Sequence, residues 1–89
     1  MTAERTVQIR NKRGLHARAS AKFVTLASTQ SAAIEVVKDG SRVAGTSIMG
    51  LMMLGAAMGD SVTISAVGDG ADTALEALCN LVEGKFGEE

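Results

Sequence analysis

Four short segments of the chain alternate apolar and polar side chains, which is the pattern of a strand with one buried face. They cover residues 6–9, 33–38, 41–44 and 61–67. Asp39 and Gly40 lie between the second and third segments, and both residue types tolerate the positive φ angles of a type I′ turn. The pattern therefore predicts a tight hairpin over residues 33–44, with two further strands elsewhere.

Three other segments carry apolar side chains at helical spacing. They run from Ala17 to about Thr29, from Ile48 to a stop at Gly55, and from Ala71 to Phe86. Ser47 or Thr46 is the predicted N-cap of the second helix, and Asp69 or Asp72 that of the third. The order β-α-β-β-α-β-α indicates an α+β fold, with one mixed or antiparallel sheet and helices on one side.

Composition narrows the classes of protein that remain. Eighty-nine residues predict one domain over residues 1–89, and two Phe without Trp or Tyr predict an aliphatic core. Cys79 and His16 are the single cysteine and the single histidine, too few for an internal disulfide or a metal site. No signal-peptide pattern or membrane-length apolar run is present, so we expect a reducing, cytoplasmic location.

Charge is concentrated in residues 10–22, which hold five of the nine basic residues and no acid. A polar loop gives way there to an alanine-rich helix at His16, so the histidine stands at a helix start. Unpaired backbone N–H groups at a helix start, here those of Ala17 and Arg18, attract phosphate. The Arg18 guanidinium can add a bidentate contact. The pattern predicts that His16 is a nucleophile beside a phosphate site.

Other interpretations of residues 10–22 and of residues 47–58 stay open. His16 could be a solvated loop histidine or a satisfied helix N-cap. The basic run could be a solvated face or a nucleic-acid patch, although its loop has no aromatic residue to stack on a base. An RNA-binding domain would lose affinity steeply with added salt. The methionine-rich residues 47–58 could fill the core or form an adaptable docking surface, and the two are compatible.

Two stretches of the chain resemble signatures of the HPr family, the histidine-containing phosphocarriers of the phosphoenolpyruvate-dependent phosphotransferase system. The first is Gly-Leu-His-Ala-Arg-Ala-Ser-Ala-Lys-Phe-Val over residues 14–24, similar to the family's active-site signature. The second is Ser-Ile-Met-Gly-Leu-Met-Met-Leu-Gly over residues 47–55, similar to the signature around its regulatory serine. The resemblance implies an open-faced β-sandwich, a four-stranded antiparallel sheet covered on one side by three helices.

The resemblance also implies roles for particular residues. His16 would be phosphorylated at Nδ1, Arg18 would contact the phosphoryl group, and Ser47 would be the target of an HPr kinase/phosphorylase in organisms that have one. The partner-docking residues would be Ile48, Met49, Leu51 and Met52. The protein would be a monomeric carrier and not an enzyme, without cofactor, metal, nucleic acid or membrane insertion, and would act between Enzyme I and IIA components.

Two positions depart from the family pattern. Ala19 stands where the family usually has proline, and Arg13 stands three residues before the histidine, where a small polar residue is common. We expect a less rigid site that still accepts phosphate. Two alternatives to a sugar-uptake carrier remain: a regulatory carrier of a nitrogen or carbon branch, and a non-phosphorylated interaction module.

Overall fold

Strands and helices follow the predicted order in the computed structural model, which describes residues 1–88. The strands are β1 (Thr2–Gln8), β2 (Ala33–Lys38), β3 (Ser41–Ala44) and β4 (Ser61–Val67). The helices are α1 (Ala17–Ser28), α2 (Ile48–Met53) and α3 (Ala71–Glu83), followed by a 3-10 turn (Lys85–Gly87). None of these helices is long and apolar enough to cross a membrane.

The four strands form one antiparallel sheet in the order β1-β4-β2-β3. β4 is paired on both sides, with Val62 opposite Val7 of β1 and Ile64 opposite Val36 of β2. The three helices cover one face of this sheet, so the α+β open-faced sandwich implied by the family resemblance is confirmed. The same finding excludes the mixed sheet that the element order alone left open.

The predicted hairpin is confirmed between β2 and β3. Asp39 and Gly40 have φ angles of 49° and 82°, as a type I′ turn requires of both central residues. The turn sets the register, in which Val36 faces Val43 and Lys38 faces Ser41.

The core lies between the inner face of the sheet and the apolar stripes of the helices. β4 contributes Val62, Ile64 and Ala66, the three positions that alternation predicted. The helices contribute a second set of buried side chains, which includes Ala19, Phe23, Leu51, Ala74, Leu75, Leu78 and Val82. Cys79 is also buried, and burial raises the pKa of its thiol, so it packs as a small apolar residue.

Two predictions about α3 are wrong. The helix ends at Glu83 and does not reach Phe86, because Gly84 caps it and the backbone then enters the left-handed region at Lys85 and Phe86, with φ of 60° and 56°. Phe86 is nevertheless buried, since the turn folds its ring back into the core. Helical periodicity cannot distinguish this path from one more helical turn, because both bury the same residue.

The predicted aspartate caps of α3 are also absent. Gly70 occupies the N-cap position with φ of 73° and makes no side-chain cap bond. Asp72 lies inside the first turn, where its charge still favours the positive end of the helix. Asp69 precedes the cap by one residue, and a cap must stand at the boundary itself.

Candidate functional site

A folded loop over residues 11–15 presents the histidine. The Asn11 amide donates to the Gly14 carbonyl at 2.8 Å, and the Gly14 N–H donates to the Asn11 carbonyl at 3.2 Å. The Leu15 N–H then donates to the Ala56 carbonyl at 3.0 Å, which fastens the loop to the segment after α2. Gly14 has φ of 63°, and a Cβ there would lie 2.2 Å from the Ala56 oxygen, so only glycine fits. Hydrogen bonds within the loop and to Ala56 therefore fix its conformation up to Leu15, the residue before His16.

His16 is the N-cap of α1, as the sequence predicts. Its backbone is extended, with φ of −74° and ψ of 178°, and its carbonyl accepts the first intrahelical bond from the Ser20 N–H at 2.9 Å. The Nδ1 atom accepts a long hydrogen bond of 3.3 Å from the Arg18 N–H. Because a backbone N–H can only donate, Nδ1 carries no proton in this arrangement. Nδ1, the atom that the family resemblance implicates, thus has a lone pair at the helix start that is only weakly hydrogen-bonded.

The other ring nitrogen contacts the far end of the chain. His16 Nε2 lies 2.7 Å from Glu88 Oε2, and the second carboxylate oxygen, Oε1, accepts from the Asn11 amide at 3.2 Å. The hydrogen bond to His16 is the main cause that lowers the pKa of the Glu88 carboxyl below its usual value, with a smaller contribution from Asn11. The carboxylate is therefore ionised at neutral pH, and it accepts a hydrogen bond from the Nε2–H.

The tail that carries Glu88 is held in place by contacts of its own. Phe86 is buried, and its carbonyl accepts a 2.8 Å hydrogen bond from Lys22 Nζ on α1. The Glu88 N–H donates to the Lys85 carbonyl at 2.9 Å, which closes the last turn. The carboxylate reaches the histidine from a segment anchored by its own backbone and by the core.

The cations around the histidine face solvent. Lys12, Arg13 and Arg18 are exposed, and the ion pairs of residues 1–88 involve none of them. An open groove between α1 and α3 begins at Arg18 and is lined by Arg18, Ala21, Lys22, Thr25, Leu26, Thr29 and Leu81. The region around His16 is therefore a positive surface with free guanidinium and ammonium groups.

Ser47 lies at the start of α2, away from the His16 loop in sequence. It is the N-cap, as predicted, and its hydroxyl oxygen accepts a 2.9 Å hydrogen bond from the Gly50 N–H. Gly55 follows the helix with φ of 65° and ends it as predicted. α2 packs against α1, so the two capped helix starts belong to neighbouring elements.

One predicted docking residue is corrected by its burial. Leu51 is 0% exposed and lies in the core, where it cannot meet a partner. Ile48, Met49 and Met52 are exposed as expected, and Met53, which the prediction omitted, is 79% exposed. Leu51 and Leu54 form the inner side of this short segment, and Ile48, Met49, Met52 and Met53 form its outer side. We call Ile48, Met49, Met52 and Met53 the α2 patch.

Asn11 and Glu88 were missed by reasoning from the sequence. An asparagine before a glycine-containing loop is a turn signal, so its local hydrogen bonds to Gly14 could have been found. Its contact with Glu88, and that of Glu88 with His16, join positions 77 and 72 residues apart. No local pattern reports such a separation.

Comparison with known proteins supports the resemblance over nearly the whole chain. The family model described as the PTS HPr component phosphorylation site matches residues 3–84. The chain belongs to the HPr family. Phosphocarrier protein HPr of Neisseria meningitidis is 49% identical over 87 residues, with 96% of each chain covered. Phosphocarrier protein NPr of Shewanella violacea is 46% identical over 85 residues, covering 96% of this chain and 93% of that one.

A solved structure of the family agrees with the observed fold. HPr-C-His from Thermoanaerobacter tengcongensis superimposes with a TM-score of 0.93 at 50% identity, covering 98% of each chain. As a member of this family the chain is an HPr-type phosphocarrier, and the family's partners in general are Enzyme I and IIA components of the phosphotransferase system.

Proposed function

We propose that His16 accepts a phosphoryl group from phospho-Enzyme I on its Nδ1 atom and passes it to a IIA component in the cytoplasm. The observation that carries this proposal is the 3.3 Å hydrogen bond from the Arg18 N–H to His16 Nδ1 at the start of α1, in a chain of the HPr family. A lone pair beside helix-start N–H groups suits a phosphoryl acceptor.

Phosphoryl transfer depends mainly on positioning and charge neutralisation. The Nδ1 lone pair attacks phosphorus in line, and the N–P bond to His16 forms as the N–P bond to the donor histidine breaks. The N–H groups of Ala17 and Arg18 and the Arg18 guanidinium take the phosphoryl oxygens. A IIA histidine later reverses the step. The side chain of His16 is 21% exposed, which leaves a path for both exchanges.

Docking of both partners would use the α2 patch. Its four side chains are exposed and apolar, and flexible methionines adapt to different partner surfaces. The Leu15–Ala56 hydrogen bond ties the segment after α2 to the His16 loop, so a partner seated on α2 lies beside the histidine. The exposed cations Lys12, Arg13 and Arg18 would attract acidic partner surfaces and speed association.

Phosphorylation of Ser47 by an HPr kinase/phosphorylase would regulate that docking. A phosphate at the N-cap is compatible with the helix start and adds negative charge next to the α2 patch. We expect Ser47→Asp to slow phosphate acceptance from Enzyme I while the fold is retained. Transfer kinetics equal to those of the unmodified chain would leave Ser47 as a cap alone.

The two departures from the family pattern are compatible with this function. Ala19 is buried in the first turn of α1, and the helix begins at Ala17 without a proline to direct it. Arg13 is exposed in the loop before the histidine, where it adds a cation to the surface. Arg13 therefore bears on partner choice more than on the transfer itself.

A second candidate function rests on the same chemistry at His16. One relative is an HPr and another an NPr, so a regulatory carrier that feeds a nitrogen- or carbon-related IIA protein is the alternative to sugar uptake. A panel of purified IIA proteins distinguishes them by which one removes the phosphoryl group from His16.

The deciding experiment is intact-mass measurement at neutral to alkaline pH. The chain is incubated with phosphoenolpyruvate and a catalytic amount of Enzyme I, beside a His16→Ala control. We expect one added phosphoryl group that is acid-labile and absent from the control. A control that is phosphorylated equally, or no gain with a cognate Enzyme I, would contradict the proposal and favour a non-phosphorylated interaction module.

A further inference from the structure

We propose that Glu88 is a positioning residue, whose carboxylate, oriented by the buried Asn11 amide, holds the proton of His16 on Nε2 so that Nδ1 presents its lone pair. The observation behind it is a chain of two hydrogen bonds, Asn11 Nδ2 to Glu88 Oε1 at 3.2 Å and His16 Nε2 to Glu88 Oε2 at 2.7 Å. The inference rests on the proposed role of His16. It adds to the site a residue, Glu88, that lies 72 positions away in the sequence.

The direction of each bond in this chain is determined by its neighbours. The Asn11 amide nitrogen faces two acceptors, the Gly14 carbonyl and Glu88 Oε1. Rotating the amide by half a turn would place its oxygen against both of them, so the observed orientation is the only favourable one. Asn11 is 0% exposed, which prevents water from taking over either bond. One carboxylate oxygen is thereby directed to Asn11 and the other to the histidine.

Glu88 is brought to this place without help from His16. The buried Phe86 ring, the Lys22 bond to the Phe86 carbonyl and the turn closed by the Lys85 carbonyl hold the tail. Side chains of Glu88 and His16 are only 22% and 21% exposed, so solvent competes weakly for their bond. A preorganised carboxylate selects a tautomer, whereas a mobile one would follow the ring. A carboxylate on the second nitrogen of a histidine is a general means of setting its tautomer.

The carboxylate also matters after transfer. When Nδ1 forms its bond to phosphorus, the donor's N–P bond breaks, no proton leaves, and Nε2 retains its hydrogen. The ring then carries a positive charge, and the phosphoryl group carries the negative charge it brought. Glu88 Oε2 lies against the N–H of that cationic ring and stabilises it, and the hydrogen bond from Asn11 to Oε1 keeps the carboxylate in this orientation. The pair therefore favours accepting phosphate at Nδ1 over Nε2.

The test combines a tautomer measurement with transfer kinetics on Glu88→Ala and Glu88→Gln. Glu76→Ala is the matched control, since Glu76 is an exposed acid of α3 that forms no ion pair within residues 1–88. Nitrogen-15 NMR of the unphosphorylated chain should show a protected Nε2–H and a bare Nδ1. We expect Glu88→Ala to lose the protected Nε2–H signal and to accept phosphate on the order of tenfold more slowly.

Glu88→Gln separates the hydrogen bond from the charge. Its amide has one oxygen, which can accept either from Nε2 or from the Asn11 amide, while its NH2 group then faces the other donor. We therefore expect the Nε2–H tautomer to be only partly retained and the rate to lie between those of the original chain and Glu88→Ala. Glu76→Ala should match the original chain in both measurements.

Each outcome decides one of two questions. If Glu88→Ala keeps the Nε2–H signal, or transfers as fast as Glu76→Ala, the inference is wrong while the role of His16 stands. If the original chain takes no phosphate at His16, the proposed function fails, and the tautomer measurement still reports whether Glu88 positions the ring. Thermal unfolding of each variant shows that a slow rate is not a loss of fold.

Discussion

The starts of α1 and α2 use the same device with different strength. At α2 the Ser47 hydroxyl oxygen accepts a 2.9 Å bond from Gly50, and every partner lies within four residues. At α1 the His16 Nδ1 accepts a 3.3 Å bond from Arg18, and the ring's other nitrogen is held by Glu88 from 72 residues away. One start is capped locally, and the other is completed by the tertiary structure.

The difference bears on what each start is suited to do. A short, local cap stabilises its helix through a strong hydrogen bond to its oxygen. A long bond to Nδ1 leaves that lone pair weakly engaged, and it is the loop and the tail that hold the ring in place. The weaker cap is therefore the one suited to chemistry, because its orienting contacts lie on atoms other than the reacting one.

The largest effect is expected from a substitution that disrupts the contact between the loop before α1 and Ala56. Gly14→Ala combines a left-handed backbone with a Cβ 2.2 Å from the Ala56 oxygen. We expect the free energy of unfolding to fall by about 3 kcal/mol, from backbone strain and overpacking together. Urea denaturation measures it.

Gly55→Ala is the control for that substitution. Gly55 has nearly the same φ, 65°, but a Cβ there meets nothing within 4 Å. Backbone strain alone should lower the free energy of unfolding by about 1 kcal/mol. Equal losses for the two variants would show that the contact with Ala56 does not hold the loop.

A smaller effect is expected at the local cap of α2. Ser47→Ala removes the acceptor of the Gly50 N–H, and we expect a loss of about 1 kcal/mol in the free energy of unfolding. Thr46→Ala, an exposed neighbour, should change it little. If the two variants unfold at the same urea concentration, α2 does not depend on its cap.

The smallest effect is the pH dependence of the tail contact. The pKa of the Glu88 carboxyl is lowered by its bond to His16, so the contact stabilises the folded chain above the unfolded value of about 4.3 and is lost as pH falls through the lower folded value. The melting temperature of the original chain should exceed that of Glu88→Gln at pH 6, with a gap that narrows below pH of about 4. A constant gap would mean that the carboxylate charge contributes nothing.

Local residue patterns in the sequence were sufficient to predict much of the secondary structure. Alternation identified β2, β3, β4 and the last residues of β1, whose first residues, 2–5, it missed. Asp39-Gly40 identified the hairpin, and the change from loop to alanine-rich helix placed His16 at a helix start. Ser47 was recognised as a cap by its type and position. These features depend on neighbours within about four residues, which a single sequence displays directly.

Tertiary structure alone decided the strand order, the burial of Leu51 and the second contact of the histidine. Periodicity assigns a short apolar helix two equivalent faces, and only packing against α1 selects which of them is inner. The tail was interpreted as a continued helix, yet its left-handed turn is what carries Glu88 to His16. Contacts between positions 72 residues apart form only when the whole chain folds. No periodic pattern in the sequence therefore predicts which of these residues meet.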